Sequence, residues 1–192
     1  MRQHTDDQAA YAKLKQSLAQ KHPNDIMAYC LGKVDFIANI DNKTGCNGLR
    51  IVKALTPQEW ETARHFRQFY FFDKASIADP FTWTFDHKDH VHFILYQGTE
   101  IKGYAHIQRW SDNRAALRII VIDVASRNKG LGCRLLTLCE RWLRQQGAVW
   151  LQIESSPKAS LFYFKRGYVE MPFNDPDHYE SGPQDIAIGK RL

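Results

Sequence analysis

The chain has 192 residues, of which 44% are hydrophobic and 12% aromatic, and this composition allows one sizeable core. The formal charge of +5 and the pI near 9.0 arise from basic residues scattered along the sequence, so we expect no nucleic acid among its partners. The polar residues 1–8 precede no long apolar segment, so we expect no signal peptide, no membrane span and a cytoplasmic protein.

Two helices are predicted at the start of the chain. Apolar side chains recur at helical spacing over residues 7–22, and Pro23 ends this stripe. Asn24 is suited to cap a second helix, whose apolar side continues to Ile40. A two-helix hairpin of this length cannot bury both stripes by itself. We therefore expect the rest of the chain or a second copy to cover them, and the second case is a homodimer.

Residues 11–15 and 28–37 of these helices resemble the C-terminal tail of the GrpB family, whose fold is nucleotidyltransferase-like. The catalytic body of that family has no counterpart in this chain, so the resemblance implies no nucleotidyl transfer. It implies a docking or dimerising appendage, which we expect over residues 1–45. The polar, glycine-containing residues 41–48 predict a linker, and a second domain is expected over residues 46–192.

A strand, a helix and an antiparallel meander are predicted next. Thr56, followed by Pro57 and Glu59, is typical of a helix N-terminus, and this helix is expected to reach about Phe72. The aromatic residues near its end either pack in the core or line a substrate pocket: Phe66, Phe69, Tyr70 and Phe72. Turn residues separate the strands predicted here, which cover residues 49–54, 90–97 and 101–110.

Residues 117–124 are a run of apolar, mostly β-branched residues that predicts a buried strand. The loop Arg127-Asn128-Lys129-Gly130-Leu131-Gly132 follows and opens a helix expected from Cys133 to Gln146. Its glycines let the backbone approach a ligand closely, the N–H groups of the first helical turn lack internal partners, and its two basic side chains add positive charge. The pattern therefore predicts a cradle for a pyrophosphate, built from the backbone of residues 128–133.

The spacing Arg-x-x-Gly-x-Gly over residues 127–132 resembles the acyl-CoA-binding motif of the GNAT superfamily of N-acetyltransferases. Residues 156–168 resemble a later motif of that family, in which a helix carrying Ala-x-x-Phe-Tyr ends at a Gly-aromatic pair. The two motifs lie in the family's order. The resemblance implies an α/β (α+β) GNAT fold, with a mixed, mostly antiparallel central sheet flanked by helices and preceded by the helical appendage. Two further strands are expected over residues 148–154 and 186–190.

The resemblance also implies an activity, the transfer of an acetyl group from acetyl-CoA to a primary amine by direct attack in a ternary complex. It implies that the pantetheine arm lies beside Ile120 and Ile122, where their strand splays from its neighbour, and that Ser156 adds a further cofactor contact. Tyr163 matches the family position whose hydroxyl lies near the CoA sulfur, which implies a proton donor to the leaving thiolate. The alternative is that Tyr163 merely packs between its aromatic neighbours.

The general base is harder to assign from the sequence. Some GNAT members place a glutamate on one of the two splayed strands, but the first of these strands offers Arg118 and apolar residues here. Glu154, near the end of the second strand, is the best remaining carboxylate. His106 and an ordered water are the alternatives.

The metal and the acceptor are the last open points. His90 and His92 share one face of a predicted strand, but no third ligand accompanies them and GNAT members need no metal, so we expect none. The acidic residues 174–180 either border a cationic acceptor, a small molecule or a peptide, or are solvated turn charges. The missing base and the N-terminal helices also permit a non-catalytic acyl-CoA sensor or interaction module.

Overall fold

The computed structural model describes residues 5–44, 48–177 and 182–192. Within these ranges, no helix combines the length and the apolar character that crossing a membrane requires. The internal contacts divide the chain into two compact units, each made of two segments. The first unit consists of Met1–Leu49 and Tyr96–Ile101, and the second of Arg50–Leu95 and Lys102–Leu192.

The N-terminal unit contains three helices where two are predicted: α1 (Thr5–Lys21), α2 (Ile26–Leu31) and α3 (Val34–Thr44). The prediction of α1 is confirmed, but the prediction of one helix from Asn24 to Ile40 is wrong, because the helix is interrupted at Gly32. The cap is also one residue later than predicted. The side chain of Asp25 accepts a hydrogen bond from the N–H of Ala28 at 2.9 Å.

Gly32 lies at the break and packs closely on α1. A Cβ atom there would overlap the end of the buried Leu18 side chain, which would have to shift to make room. Glycine also lowers helix propensity by roughly 1 kcal/mol relative to alanine. Helix α3 extends to Thr44, into the predicted linker, and residues 45–47 of that linker lie outside the described residues.

A seven-stranded sheet has the order β1-β2-β3-β4-β5-β7-β6. Its strands are β1 (Leu49–Lys53), β2 (His90–Gln97), β3 (Glu100–Arg109), β4 (Arg114–Ile122), β5 (Trp150–Ser155), β6 (Val169–Glu170) and β7 (Ile186–Arg191). Strands β4 and β5 are parallel, whereas β3 and β7 are antiparallel to their neighbours β4, β5 and β6. The sequence does not predict β6, since two residues carry no periodicity, and β7 lies between β5 and β6 inside the sheet.

Strand β4 has two irregularities that open the sheet. Its register with β3 shifts so that Arg118 is an extra residue, which makes a β-bulge. Its parallel pairing with β5 covers only three residue pairs and ends at Ala116 with Gln152. Both strands continue beyond this point, to Ile122 and Ser155, without pairing with each other.

The helices of the second unit are α4 (Pro57–Arg67), α5 (Leu131–Gln145) and α6 (Pro157–Phe164). The predicted capping box of α4 is confirmed, since Thr56 and Glu59 exchange side-chain to backbone hydrogen bonds. The predicted extension of α4 to about Phe72 is wrong, because the α-helix ends at Arg67 and the chain widens into a π-helical turn over Gln68–Phe72. Helix α5 begins two residues earlier than predicted and buries Leu135, Leu136 and Leu143.

Candidate active site

The loop before α5 presents a row of backbone N–H groups. Asn128 and Gly130 have left-handed backbone angles, with φ of 61° and 75°, and Gly130 precedes the first residue of the helix. The first N–H of this region to reach a backbone acceptor belongs to Arg134, which donates to the carbonyl oxygen of Gly130 at 3.2 Å. In the described part of the chain, the N–H groups of residues 128–133 have no protein acceptor. This arrangement fits a bound pyrophosphate.

Arg127 and Lys129 flank this row as predicted, but both side chains also bind the turn that precedes it. Arg127 Nε donates to the carbonyl oxygen of Ile122 at 3.0 Å, and Lys129 Nζ donates to that of Ala125 at 3.1 Å. Both side chains are exposed, so their positive charge stays available beside the N–H row. Cys133 lies half-buried at the end of the row, and its sulfur accepts a hydrogen bond from Arg166.

Tyr70 and Asp123 hold this loop in place, a role that the sequence does not predict. The Tyr70 hydroxyl donates to Asp123 Oδ1 at 3.2 Å and accepts from the N–H of Val124 at 3.1 Å. The guanidinium of Arg127 lies 5.2 Å from the centre of the Tyr70 ring. Asp123 also caps the 3-10 turn Val124–Ser126, and an aspartate directly after a strand is the signal that a search for turn caps would find.

The predicted pantetheine residues lie on the part of β4 that pairs with β3 but not with β5. Ile120 faces Ala105 and Ile122 faces Gly103 in the ladder with β3, and both isoleucines are half-buried. Ser156 is exposed at the N-cap of α6 and makes no capping hydrogen bond with its side chain.

A cavity of about 280 Å³ opens where β4 and β5 stop pairing. It brings together the two base candidates, Glu154 and His106. Neither Tyr163 nor the phosphate loop, residues 127–132, lines it. The lining residues come from α4, the π-helical turn, three strands and two loops: Arg67, Phe71, Phe72, Phe81, His106, Leu117, Arg118, Ile119, Glu154, Phe173 and Asp185.

Tyr163 is packed on α6 among aromatic rings. Its ring meets those of Phe162 and Tyr168 edge to face, with centroids 5.0 and 5.5 Å away. Burial raises the pKa of Tyr163 to about 12, so the hydroxyl keeps its proton at neutral pH. No described residue makes a hydrogen bond with this hydroxyl, so its proton is available to a ligand.

Three buried histidines lie on β2 and β3. His90 Nδ1 lies 2.8 Å from His106 Nε2, and the rings of His92 and His106 stack with centroids 4.4 Å apart. His92 Nε2 donates to the carbonyl oxygen of Thr84 at 3.1 Å, so its Nδ1 accepts from the Tyr104 hydroxyl at 2.6 Å. Burial lowers the pKa of His90 to about 4 and of His92 to about 3, and it holds that of His106 well below its ordinary value.

These histidines are therefore neutral at pH 7, and each makes hydrogen bonds within the protein. Among the described residues, no group of three or more histidine, cysteine, aspartate or glutamate side chains is arranged to hold a metal ion.

Arg118 occupies the bulge of β4 and faces the acidic loop. Its guanidinium pairs with Asp175 at 2.6 Å and donates to Gln108 Oε1 at 2.8 and 2.6 Å. Asp177 accepts a hydrogen bond from the side-chain amide of Gln108. The described carboxylates of this loop are thus engaged with protein groups, while residues 178–180 of the same prediction lie outside the described residues.

Comparison with known families gives two matches. The model of the acetyltransferase (GNAT) family matches residues 53–168, which is more than half of the chain. The model named GrpB protein matches residues 1–43. Both matches agree with the family resemblances seen in the sequence. No protein with a curated description matches the chain.

Solved structures share the fold of the second unit. A Lactobacillus plantarum protein proposed to be an N-acetyltransferase has a TM-score of 0.64 and 24% identity, and the match covers 76% of this chain and 99% of that one. An acetyltransferase of the GNAT family from Staphylococcus aureus has a TM-score of 0.59 and 15% identity, with coverage of 76% and 99%.

The PaiA N-acetyltransferase of Thermoplasma acidophilum, solved in complex with coenzyme A, has a TM-score of 0.54 and 15% identity, again with coverage of 76% and 99%. The family match, the sheet that opens between β4 and β5, and the N–H row before α5 lead to one conclusion. This chain belongs to the GNAT family of acetyltransferases.

Proposed function

We propose that this protein transfers an acetyl group from acetyl-CoA to a primary amine, carried by a small molecule or a peptide, by direct attack in a ternary complex. Family membership establishes acetyl transfer from acyl-CoA in general. The observation that carries the finer proposal is the cavity at the opening between β4 and β5, which is lined by both Glu154 and His106. There an amine can lose its proton next to the place where the thioester would lie.

The N–H groups of residues 128–133, with Arg127 and Lys129 beside them, are suited to hold the pyrophosphate of acetyl-CoA. The backbone of Ile120 and Ile122 would hold the pantetheine arm, because this part of β4 has no pairing with β5. Ser156, at the start of α6, would add a polar contact. Acetyl-CoA supplies the activated acetyl group, and these residues fix its position against the amine.

The reaction forms one C–N bond and breaks one C–S bond, so one proton leaves the amine and one reaches the sulfur. Glu154 accepts the proton of the amine, and His106, neutral at pH 7, is the alternative acceptor. Tyr163 donates its hydroxyl proton to the thiolate. Burial keeps this proton on the oxygen at neutral pH, and the match of Tyr163 to the family motif supports the role.

A non-catalytic acyl-CoA sensor is the second candidate. It is favoured by Arg118, which stands where some family members carry a glutamate and forms an ion pair with Asp175. A sensor needs the phosphate loop but no base.

The deciding experiment measures thiol release from acetyl-CoA with a broad panel of amines and peptides, together with the mass of the product and the Kd of acetyl-CoA by calorimetry. Acceptor-dependent thiol release with an acetylated product supports the enzyme. Glu154→Gln should then lower kcat/KM by about 10²- to 10⁴-fold, and His106→Gln by less than tenfold, while the reverse order would identify His106 as the base. Tight binding without turnover supports the sensor, and absence of binding contradicts both.

We further propose that residues 1–45 are an appendage to the acetyltransferase domain at residues 46–192 and that the appendage mediates self-association. Its short helices expose apolar side chains, since Ile26 is 76% exposed and Met27, Val34 and Ile37 are also exposed. Four exposed apolar side chains on two short consecutive helices favour a protein partner.

A further inference from the structure

Four of the eleven residues that line the cavity are phenylalanines, and these four form its aromatic wall. Phe71 and Phe72 come from the π-helical turn, Phe81 from the following loop and Phe173 from the segment after β6. The rings of Phe72 and Phe81 lie 6.3 Å apart, and the guanidinium of Arg118 lies 5.6 Å from the ring of Phe173. Phe71 is 45% exposed, so this part of the wall reaches the solvent. A ligand that enters here meets phenylalanine rings.

Polar contacts behind the wall hold Phe81 in position. Arg67 forms an ion pair with Asp79 at 2.8 Å, and both side chains are almost completely buried, at 1% and 6% exposure. The same carboxylate oxygen of Asp79 accepts the N–H of Phe81 at 2.9 Å. Gln68 fixes the loop at two further points, since it donates to the carbonyl of Ile77 at 2.9 Å and accepts the N–H of Asp79 at 3.0 Å. These contacts fix the Phe81 side of the aromatic wall before a ligand binds.

The charges at the cavity favour a cation without a carboxylate. Two arginines line it, and each forms an ion pair with a carboxylate behind the wall. Two more carboxylates, Glu154 and Asp185, belong to the lining itself. These six groups carry a net negative charge, which stabilises an ammonium group and opposes the carboxylate of an amino acid.

The volume limits the ligand to a compact molecule. The cavity of about 280 Å³ is roughly twice the size of the ~150 Å³ apolar cavity that holds a benzene molecule, so it fits one ring and a short chain. A polyamine has no ring to pack against the phenylalanines. A peptide would bring unpaired N–H and C=O groups there, and these would lose hydration without compensating hydrogen bonds.

We infer that the acceptor is an arylalkylamine, a primary amine on a short alkyl chain that ends in a single aromatic ring. The inference rests on the proposed function, since the amine nitrogen must lie near Glu154 and His106 while the ring packs against the phenylalanines. Nitrogen forms the new C–N bond and loses its proton to the base, the C–S bond of acetyl-CoA breaks, and the thiolate takes a proton from Tyr163.

The test uses 2-phenylethylamine, with phenylalanine as the analogue that adds a carboxylate and spermidine as a polyamine. We expect kcat/KM for 2-phenylethylamine to exceed the values for both others by at least about tenfold. Equal values, or a preference for either of the others, would overturn the inference and leave the proposed acetyl transfer standing.

A matched pair of variants tests the wall. Phe71 and Phe69 lie on the same π-helical turn with similar exposure, 45% and 48%, but only Phe71 lines the cavity. Phe71→Ala should lower kcat/KM for 2-phenylethylamine by about tenfold and Phe69→Ala by less than twofold, with the Kd of acetyl-CoA unchanged in both. Equal effects of the two variants would contradict the assignment of the wall.

Calorimetry of 2-phenylethylamine binding in the presence of CoA separates the two proposals. If the amine binds, and binds more weakly to the Phe71→Ala variant, but no amine in the panel is acetylated, the proposed function fails and the ligand class stands. If 2-phenylethylamine does not bind to the full-length protein in the presence of CoA, the ligand class is wrong, whatever the protein does with other amines.

Discussion

Tyr163 has the most directly testable role in the proposed chemistry, because the mechanism needs only its hydroxyl group. Tyr163→Phe removes only the hydroxyl, so turnover should fall by roughly ten- to a thousand-fold with an unchanged Kd for acetyl-CoA. Tyr168→Phe is the matched control, because that hydroxyl donates to Glu140 in the core at 3.0 Å and should affect stability alone. Thiol release and calorimetry on both variants check the prediction. Equal turnover in the Tyr163 variant and the unmodified protein would mean that the ring only packs.

The three buried histidines make stability depend on pH. In the unfolded chain an imidazole titrates near pH 6.5, whereas burial lowers the pKa of His90 to about 4 and of His92 to about 3. Below about pH 6.5 the unfolded chain therefore binds protons that the folded chain excludes. The free energy of unfolding should fall as the pH drops from about 6.5 to 4, by up to ~1.4 kcal/mol per pH unit for each histidine, and stay flat above this window.

Urea unfolding at about pH 7.5, 6 and 5 measures this slope. His92→Gln should reduce the slope, and His65→Gln, which changes an exposed histidine of α4, should leave it unaltered. A slope that His92→Gln does not change would show that other groups cause the loss of stability in acid.

At the level of whole elements, the junction of β4 and α5 is where the proposed phosphate site is most easily tested. Gly130→Asp places a negative charge on the row of N–H groups, so the Kd of acetyl-CoA should rise by at least about tenfold. The left-handed backbone adds strain to any side chain at this position, and Gly147→Asp supplies the control. Gly147 follows the other end of α5 with φ of 80°, and a Cβ atom at either glycine meets nothing within 4 Å. If both variants bind acetyl-CoA equally well, the loop does not hold the pyrophosphate.

The elements that local signals define are predicted well. Strand β2 is predicted at its observed bounds, since Gly98 ends it with a turn in the left-handed region. The capping box that starts α4 is visible in the sequence for the same reason. The interruption at Gly32 is missed because the apolar periodicity continues through it, and its close contact with Leu18 in another helix has no sequence signal.

The same distinction between local and long-range signals holds for the proposed site. The phosphate loop is predicted because its glycines, its basic residues and the start of α5 are neighbours in the sequence. The aromatic wall is not predicted, because Phe81 and Phe173 become neighbours only when the sheet forms. Neither Arg67 nor Asp79 stands out in the sequence, although their buried ion pair positions one side of that wall.

For the molecule as a whole, the N-terminal helices and the cofactor-binding features lie in separate stretches of the chain. Deleting residues 1–45 should leave the Kd of acetyl-CoA unchanged, because every proposed cofactor contact lies after Leu117. The deletion should lower either the stability or the mass in solution, as measured by urea unfolding and sedimentation. Ile26→Glu in the full chain tests self-association with a smaller change. This side chain is 76% exposed, and a charge there should weaken self-association. A folded, monomeric deletion variant that no longer binds acetyl-CoA would contradict the division into two parts.

The unpaired stretch of β4 is, in effect, a sheet edge enclosed within the sheet. Exposed edges of this kind elsewhere invite another chain to add a strand, which is a route to aggregation. Here β3 borders β4 on one side, and β5, tied to β7 along its full length, stands on the other. The opening between β4 and β5 leaves the N–H and C=O groups on one side of β4 without a partner in β5, and an extended ligand with amide groups of its own, such as the proposed pantetheine arm, can pair with them. If acetyl-CoA binds as proposed, this edge uses strand-like hydrogen bonding for a small molecule and not for a second chain.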